Sequence, residues 1–266
     1  MITSAQNLKL KLARSLIGRP KERLEAQVFL VEGVRLVEEA LSADWPMRFV
    51  LYANGLNARG LELIRKLEEK NIEVEQVSEP LLNSISDTEN PQGILAVLNL
   101  SALPVPQSPD FVLIADQLRD PGNLGTLLRT AASAGVQAVL LSPETTDALA
   151  PKVLRAGMGA HFRLPILPLS WDEIRSRVSG LQIFLADMEG AISCWQADFM
   201  GPLALIIGGE AEGASAVART LATQSVFIPM VGSTESLNAG IAGSILLFEV
   251  VRQRNKQRGT IKPVLE

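Results

Sequence analysis

Apolar residues fall into short dense runs separated by stretches of helical spacing. Residues 28–31 (Val-Phe-Leu-Val), 49–52 (Phe-Val-Leu-Tyr) and 93–98 (Gly-Ile-Leu-Ala-Val-Leu) are near-continuous apolar runs, and 72–77 (Ile-Glu-Val-Glu-Gln-Val) alternates. These four read as strands. Between them, apolar residues at 34, 37 and 41, and again at 61, 63, 64 and 67, carry helical spacing, with the second helix ending near Lys70-Asn71. The pattern predicts a small α/β domain over residues 1–100.

Prolines at 104, 106 and 109 exclude a helix or a central strand over 101–110, which reads as a linker. Beyond it the alternation strengthens. Strands are expected at 111–115, 138–141, 181–186, 203–207 and 225–229, with helices at 123–134 and 238–254. Runs apolar on both faces, alternating with helices, predict a parallel sheet covered on both sides, in a second domain over 111–266.

Composition changes the picture mainly by exclusion. The 266 residues are 47% hydrophobic and 20% charged, which suits a globular chain large enough to bury its own core. One Cys (Cys194) and one His (His161) supply neither an internal disulfide nor a Cys/His zinc cluster, so no metal is expected. His161 lacks a nucleophile motif beside it and reads as structural, and Cys194 reads as a small buried hydrophobe. No apolar run is long enough to span a membrane and residues 1–23 lack the apolar core of a signal peptide, so a cytoplasmic protein is expected.

Three segments at expected strand ends carry unusual residues, in the position where open α/β sheets bind ligands. The first runs from Asp116 to Arg129. Asp120-Pro121-Gly122 is a turn, Asn123 a candidate helix cap, and Arg129 the lone charge in an otherwise apolar or small helix. That Arg reads either as a solvated surface residue or as a fork aimed at a phosphate. The second, at 203–215, runs a buried strand into Gly208-Gly209-Glu210 and then Gly213. Paired glycines there permit close backbone approach, although neither the dinucleotide fingerprint nor a phosphate loop is present. The third, at 227–238, ends a strand at Pro229 and leads through a polar loop to Asn238, a candidate cap. Ala239, Gly240, Ala242, Gly243 and Ser244 then leave one face of the following helix nearly bare.

Together, in this order, the three segments resemble the signature motifs of the SpoU (TrmH-like) RNA 2′-O-ribose methyltransferases of the SPOUT superfamily. Asp-Pro-Gly-Asn-Leu-Gly-Thr-Leu-Leu-Arg (120–129) is similar to motif one, Ile-Gly-Gly-Glu-Ala-Glu-Gly (207–213) to motif two, and Ile-Pro-Met-Val-Gly-Ser-Thr-Glu-Ser-Leu-Asn (228–238) to motif three. Phe-Leu-Val-Glu-Gly-Val-Arg (29–35) and Gln-Gly-Ile-Leu-Ala-Val (92–97) resemble landmarks of the family's substrate RNA-binding domain, itself similar to a ribosomal protein fold. The resemblance implies an α/β catalytic domain with a deep trefoil knot. It implies S-adenosylmethionine held near Gly208, Gly209, Ile228, Met230 and Leu237. It implies catalytic residues Asn123, Arg129, Glu210, Ser236 and Asn238, and a homodimer formed through the C-terminal domain. One departure is Gly240, where many relatives carry Ser.

The implied reaction moves a methyl group to a ribose 2′-hydroxyl, a group that marks RNA over DNA. The donor sulfonium is already activated, so the protein must chiefly align the reactants and ease loss of the hydroxyl proton. Arg129 is expected to orient the phosphate, Asn123 and Asn238 the ribose, and Glu210 to hold the motif-two loop. Ribosomal RNA is favoured over transfer RNA as substrate. The alternatives are a transfer-RNA enzyme, an RNA-binding protein without catalysis, and a nucleotide-dependent dehydrogenase. A net charge of −4 counts against an RNA partner until it is divided along the chain: residues 1–23 carry +5, 24–105 carry −7, 106–251 carry −6 and 252–266 carry +4. Lys9, Lys11, Arg14, Arg19, Lys21 and Arg23 are therefore expected to form an N-terminal arm that grips phosphates.

Overall fold

The computed structural model describes residues 1–210, 212–232 and 236–258. In chain order the elements are α1 (Leu8–Gly18), α2 (Pro20–Ala26), β1 (Val28–Glu32), α3 (Val34–Ser42), β2 (Met47–Tyr52), α4 (Ala58–Glu69), β3 (Val74–Gln76), α5 (Glu79–Asn83), β4 (Ile94–Asn99), β5 (Phe111–Asp116), α6 (Pro121–Ala134), β6 (Ala138–Leu141), α7 (Pro151–Gly157), β7 (Ile166–Pro168), α8 (Trp171–Arg177), β8 (Gln182–Ala186), β9 (Ile192–Ser193), β10 (Leu203–Gly208), α9 (Ala216–Leu221), β11 (Gln224–Phe227) and α10 (Ala239–Arg258). A 3-10 turn, Ala160–Phe162, follows α7. The chain divides into two units, Met1–Leu103 with Asp147–Arg163, and Pro104–Thr146 with Leu164 onward. The sequence pattern did not signal the excursion of 147–163 into the first unit.

The first unit is built on a four-stranded sheet ordered β1-β4-β2-β3, with β4 antiparallel to both neighbours and β2 parallel to β3. β1 and β4 are buried on both faces, which explains their unbroken apolar runs, while the alternating edge strand β3 is half-buried. Phe29, Val31, Ile94, Ala96 and Leu98 point to the face covered by α3, α4 and the excursion residues Leu154 and Phe162. Val28, Leu30, Leu95 and Val97 point to the other, where Leu10, Ala13 and Leu16 of α1 pack.

The amino terminus is therefore core, not an appended arm. Ile2 pairs with Val77 beside the sheet, and Asn7 caps α1 by accepting from the Lys9 N–H at 2.9 Å. Arg23 is 2% exposed; it forms an ion pair with Asp147 and donates to the Leu16 and Ile17 carbonyls. Lys9 pairs with Glu73 and Glu75 and lies over the Phe49 ring. Both leave the expected phosphate-gripping set because partners inside the unit already saturate them. Arg19 and Lys21 pair with Glu22 and Glu25 along α2, Arg14 donates to Ser84 Oγ at 3.1 Å, and Lys11 is exposed.

The second unit holds a seven-stranded sheet ordered β7-β6-β5-β10-β8-β11-β9, parallel throughout. β7 and β9, three and two residues long, were not legible in the sequence because they are shorter than any period. α10 packs on α6 and on β10. A Cβ at Gly243 would lie 2.5 Å from a Leu127 methyl, so the small-residue face serves this close contact, and Thr130 and Ser244 share a hydroxyl hydrogen bond of 2.9 Å across it. Arg254 anchors the far end of α10 by donating to the Phe199, Gly201 and Asp110 carbonyls. That cation, counted above as part of a basic end, is thereby folded in.

His161 is buried, with Nε2 at 2.8 Å from the Ala148 carbonyl oxygen. A carbonyl only accepts, so Nε2 carries the proton. Burial lowers the imidazole pKa to about 4, outweighing the Ala148 bond. An unfolded His binds its proton below about 6.5, whereas this one stays neutral until about 4, so stability is present above that window and lost as pH falls through it. Between pH 7 and pH 5 the wild type is expected to lose about 2 kcal/mol more unfolding free energy than His161→Gln in urea titrations; parallel pH profiles would contradict the neutral buried state. Arg23→Ala leaves Asp147 and two carbonyls without their donor and is expected to cost about 3–5 kcal/mol in the same titration.

Candidate active site

The parallel register of β5 and β10 pairs Asp116 with Gly208, so two of the three unusual segments leave the sheet side by side. Pro121 occupies the first turn of α6, where a missing N–H costs nothing, and the helix starts earlier than expected. Asp120, not Asn123, is its cap and accepts from the Asn123 N–H at 2.8 Å. Asn123 is thus released from capping, and its amide faces outward from the helix start.

That amide is the centre of a three-way junction. Glu210, just past β10, accepts from the Asn123 Nδ2 at 2.8 Å and from the Arg119 and Asp120 backbone N–H groups at 3.2 and 3.4 Å. Asn123 Oδ1 accepts from Asn238 Nδ2 at 2.7 Å. Asn238 Oδ1 accepts from the Ile241 N–H at 3.2 Å, capping α10 as its spacing predicts. A carboxylate offers only acceptors, so Glu210 orients the Asn123 amide, which in turn orients that of Asn238. Each amide retains one N–H for a ligand. Residues 210, 123 and 238 are so joined from all three segments.

The glycines act on the protein's own backbone. A Cβ at Gly208 would meet the Ala214 nitrogen at 2.5 Å, and one at Gly209 the Gln117 carbonyl oxygen at 2.6 Å. On the Cβ side the room they leave is filled at Gly208 by the returning loop and at Gly209 by the chain that follows β5. Gly240 is similar in kind: its Cβ would lie 3.1 Å from the Asn123 carbonyl oxygen. A side chain there would press on the residue at the junction.

Asp116 is a site residue whose part the sequence pattern did not show. It is fully buried, accepts from the Ser215 N–H at 2.7 Å and the Ser142 hydroxyl at 2.9 Å, and so ties the returning loop and β6 to the end of β5. Its only advance signal is a charge closing a strand that is apolar on both faces.

Arg129 stands apart. It lies six residues beyond Asn123 on α6, exposed, and no side-chain partner holds it among the described residues. Six residues are about one and two-thirds turns, so it leaves the helix on a different face from Asn123. Ser236 is exposed just before Leu237 and Asn238.

Ile228 and Met230 follow the end of β11 and Leu237 precedes Asn238 and α10, with Met230 exposed and the other two half-buried. The backbone from residue 228 to 232 makes no hydrogen bond with another described residue. Unpaired backbone groups beside flexible apolar side chains suit a nucleoside, whose base edge needs donors and acceptors and whose faces need apolar cover. The residues expected to hold S-adenosylmethionine therefore fit such a group. Among the described residues no cluster of side chains could hold a metal ion, and no helix is long and apolar enough to cross a membrane.

Comparison with known proteins bears on the whole chain. Residues 7–96 match the MRM3-like substrate binding domain, and residues 110–248 match the SpoU rRNA Methylase family. The chain is 32% identical to the 23S rRNA (guanosine(2553)-2′-O)-methyltransferase RlmP of Bacillus subtilis, over 94% of this chain and 98% of that one. It is also 32% identical to a 23S rRNA (uridine(2479)-2′-O)-methyltransferase of Streptomyces viridochromogenes, over 98% and 95%. The crystal structure of the SpoU methyltransferase AviRb from Streptomyces viridochromogenes with AdoMet superposes with a TM-score of 0.81 at 31% identity, covering 94% of this chain and all of that one. On both its motifs and its fold, the chain belongs to the SpoU rRNA methylase family.

Proposed function

We infer that this protein transfers the methyl group of S-adenosylmethionine to a ribose 2′-hydroxyl of ribosomal RNA, in the cytoplasm. The junction of Glu210, Asn123 and Asn238 at the carboxyl edge of the parallel sheet carries the reading. Ribosomal RNA, in preference to transfer RNA, is supported by the substrates of the two relatives. When bound, the cofactor supplies an activated methyl on a sulfonium. Gly208, Gly209, Ile228, Met230 and Leu237 would hold it, with the free backbone from 228 onward reading the base.

The chain's own residues then divide the work. The remaining N–H of Asn123 and that of Asn238 point at ribose oxygens and fix the attacking hydroxyl. Glu210 has its acceptors occupied by three donors and acts by holding the segments in register, as a positioning residue. Ser236 lies close enough in sequence to add a contact to the same ribose. Arg129 grips the adjacent phosphate and stabilises the oxygen as its proton passes to solvent water.

We assign Arg129 to such a site through a second copy of the chain, because along α6 it leaves the helix on a different face from Asn123. A homodimer through the second unit is supported by the exposed stripe Ile241, Ile245 and Phe248 on α10, 39–49% exposed at i, i+4 and i+7. Soluble helices bury such stripes.

Two experiments test this reading. With tritiated S-adenosylmethionine and ribosomal RNA, the wild type should label a 2′-O-methyl nucleoside; Arg129→Ala should lose at least about a hundredfold in turnover while binding the cofactor as before. Label in base carbons, or full turnover by Arg129→Ala, would refute it. Phe248→Glu places a charge in the stripe and should halve the mass seen by light scattering; an unchanged mass would remove the dimer from the mechanism.

A further inference from the structure

The first unit holds a cleft of about 500 Å³ that none of the three segments explains. It opens where β1 and β2 end, bounded by the starts of α3 and α4, by α5 and by residues 91–93. Arg35, Asn54, Arg59, Glu79, Asn83 and Gln92 supply its polar walls.

The donors in this cleft are prearranged. Gln92 Oε1 accepts from the Val34 N–H at 2.9 Å, so its NH₂ is left for a ligand. Asn54 Oδ1 accepts from Gln76 Nε2 at 2.5 Å, which leaves the Asn54 NH₂ free in the same way. Glu38 grips the Arg59 Nε at 2.8–2.9 Å through both carboxylate oxygens and also takes its Nη2, fixing that guanidinium so that Nη1 is the group without a partner among the described residues. Arg35 and Asn83 are exposed, and neither side chain has a bonded partner among the described residues. With Asn57, whose Oδ1 accepts from the Gly60 N–H at 2.9 Å, four amides and two guanidinium groups thus line one space, against the single carboxylate of Glu79.

A space rich in donors requires a ligand rich in acceptors. Base edges carry ring nitrogens and carbonyl oxygens, and the phosphodiester carries charge for the arginines. The volume falls in the range of small-ligand pockets, so it admits a nucleotide and not a helix. Bases in an A-form duplex are closed to side chains, whereas unpaired bases can be splayed into such a pocket. Glu79 suits this too: it accepts from a base amino group but repels a bare phosphate.

We propose that this cleft captures one unpaired nucleotide of the substrate RNA and its phosphate, anchoring the RNA at a site separate from the methyl-transfer junction. The proposal rests on RNA being the substrate, as read above. It replaces the N-terminal arm as the gripping surface of this unit.

The test measures binding by fluorescence anisotropy with two labelled RNAs, a hairpin with a mixed-sequence single-stranded loop and a blunt duplex of the same length. Arg35→Ala should weaken hairpin binding about tenfold and lower its salt slope by about 0.7. Asn83→Ala should weaken it about threefold with no change in slope. Both positions are exposed, and cofactor binding and thermal unfolding serve as checks on folding. Duplex affinity should move less than twofold. Photocrosslinking of the hairpin carrying 4-thiouridine in its loop should mark residues 53–59 or 79–93. Hairpin affinities within twofold of wild type, equal losses on hairpin and duplex, or crosslinks confined beyond residue 103 would each overturn the proposal. A wild type that binds the hairpin through the cleft but transfers no methyl would instead refute the function proposed above.

Discussion

A single carboxylate holds the reactive end of the second unit together. Glu210 leaves β10 and takes donors from the Arg119 and Asp120 backbone and from Asn123, so the loop before α6 cannot drift from the end of β10. Asn123, oriented by that bond, accepts from Asn238 and sets the start of α10. Remove the carboxylate and two amides lose their orientation, although every strand of the sheet could remain. Beneath this lies the β5–β10 register, which brings the two loops within reach, and the buried Asp116, which holds the returning loop from below.

The close contacts around this junction explain the small residues. Gly208, Gly209 and Gly243 are each sites where a methyl group would collide with protein atoms. Gly240 sits against Asn123 itself, so its difference from many relatives bears on how tightly α10 approaches α6. At Gly208, Gly209 and Gly240 the nearest atoms are backbone, so these glycines bring one stretch of main chain against another.

The proposed nucleotide cleft and the Glu210 junction belong to different units of the chain. Two cations of the N-terminal segment are taken up internally, since Arg23 is buried and Lys9 lies between two glutamates, whereas Arg19 and Lys21 stay exposed in pairs along their helix. Counting charge by segment located the basic residues but could not show which were already neutralised. The cleft by Arg35 and Arg59 is modest in net charge and rich in oriented donors. That arrangement favours hydrogen-bonded recognition over a purely electrostatic grip.

Strongly patterned elements were legible in the chain. Residues 28–31, 94–98, 111–115 and 203–207 had to be strands because they are apolar on both faces, and the proline-rich stretch had to interrupt regular structure. The motif order likewise placed Asn123, Glu210 and Asn238 at strand ends. Tertiary structure decided the rest. It drew 147–163 into the first unit, where Leu154 and Phe162 fill its core. It moved the cap of α6 from Asn123 to Asp120, freeing the amide that joins the three segments. It turned Arg23 inward and Arg129 outward. Periodicity reports which face of an element is apolar, and so it determines elements. Which polar groups meet depends on distances between residues as far apart as 123 and 238, and only packing sets those distances.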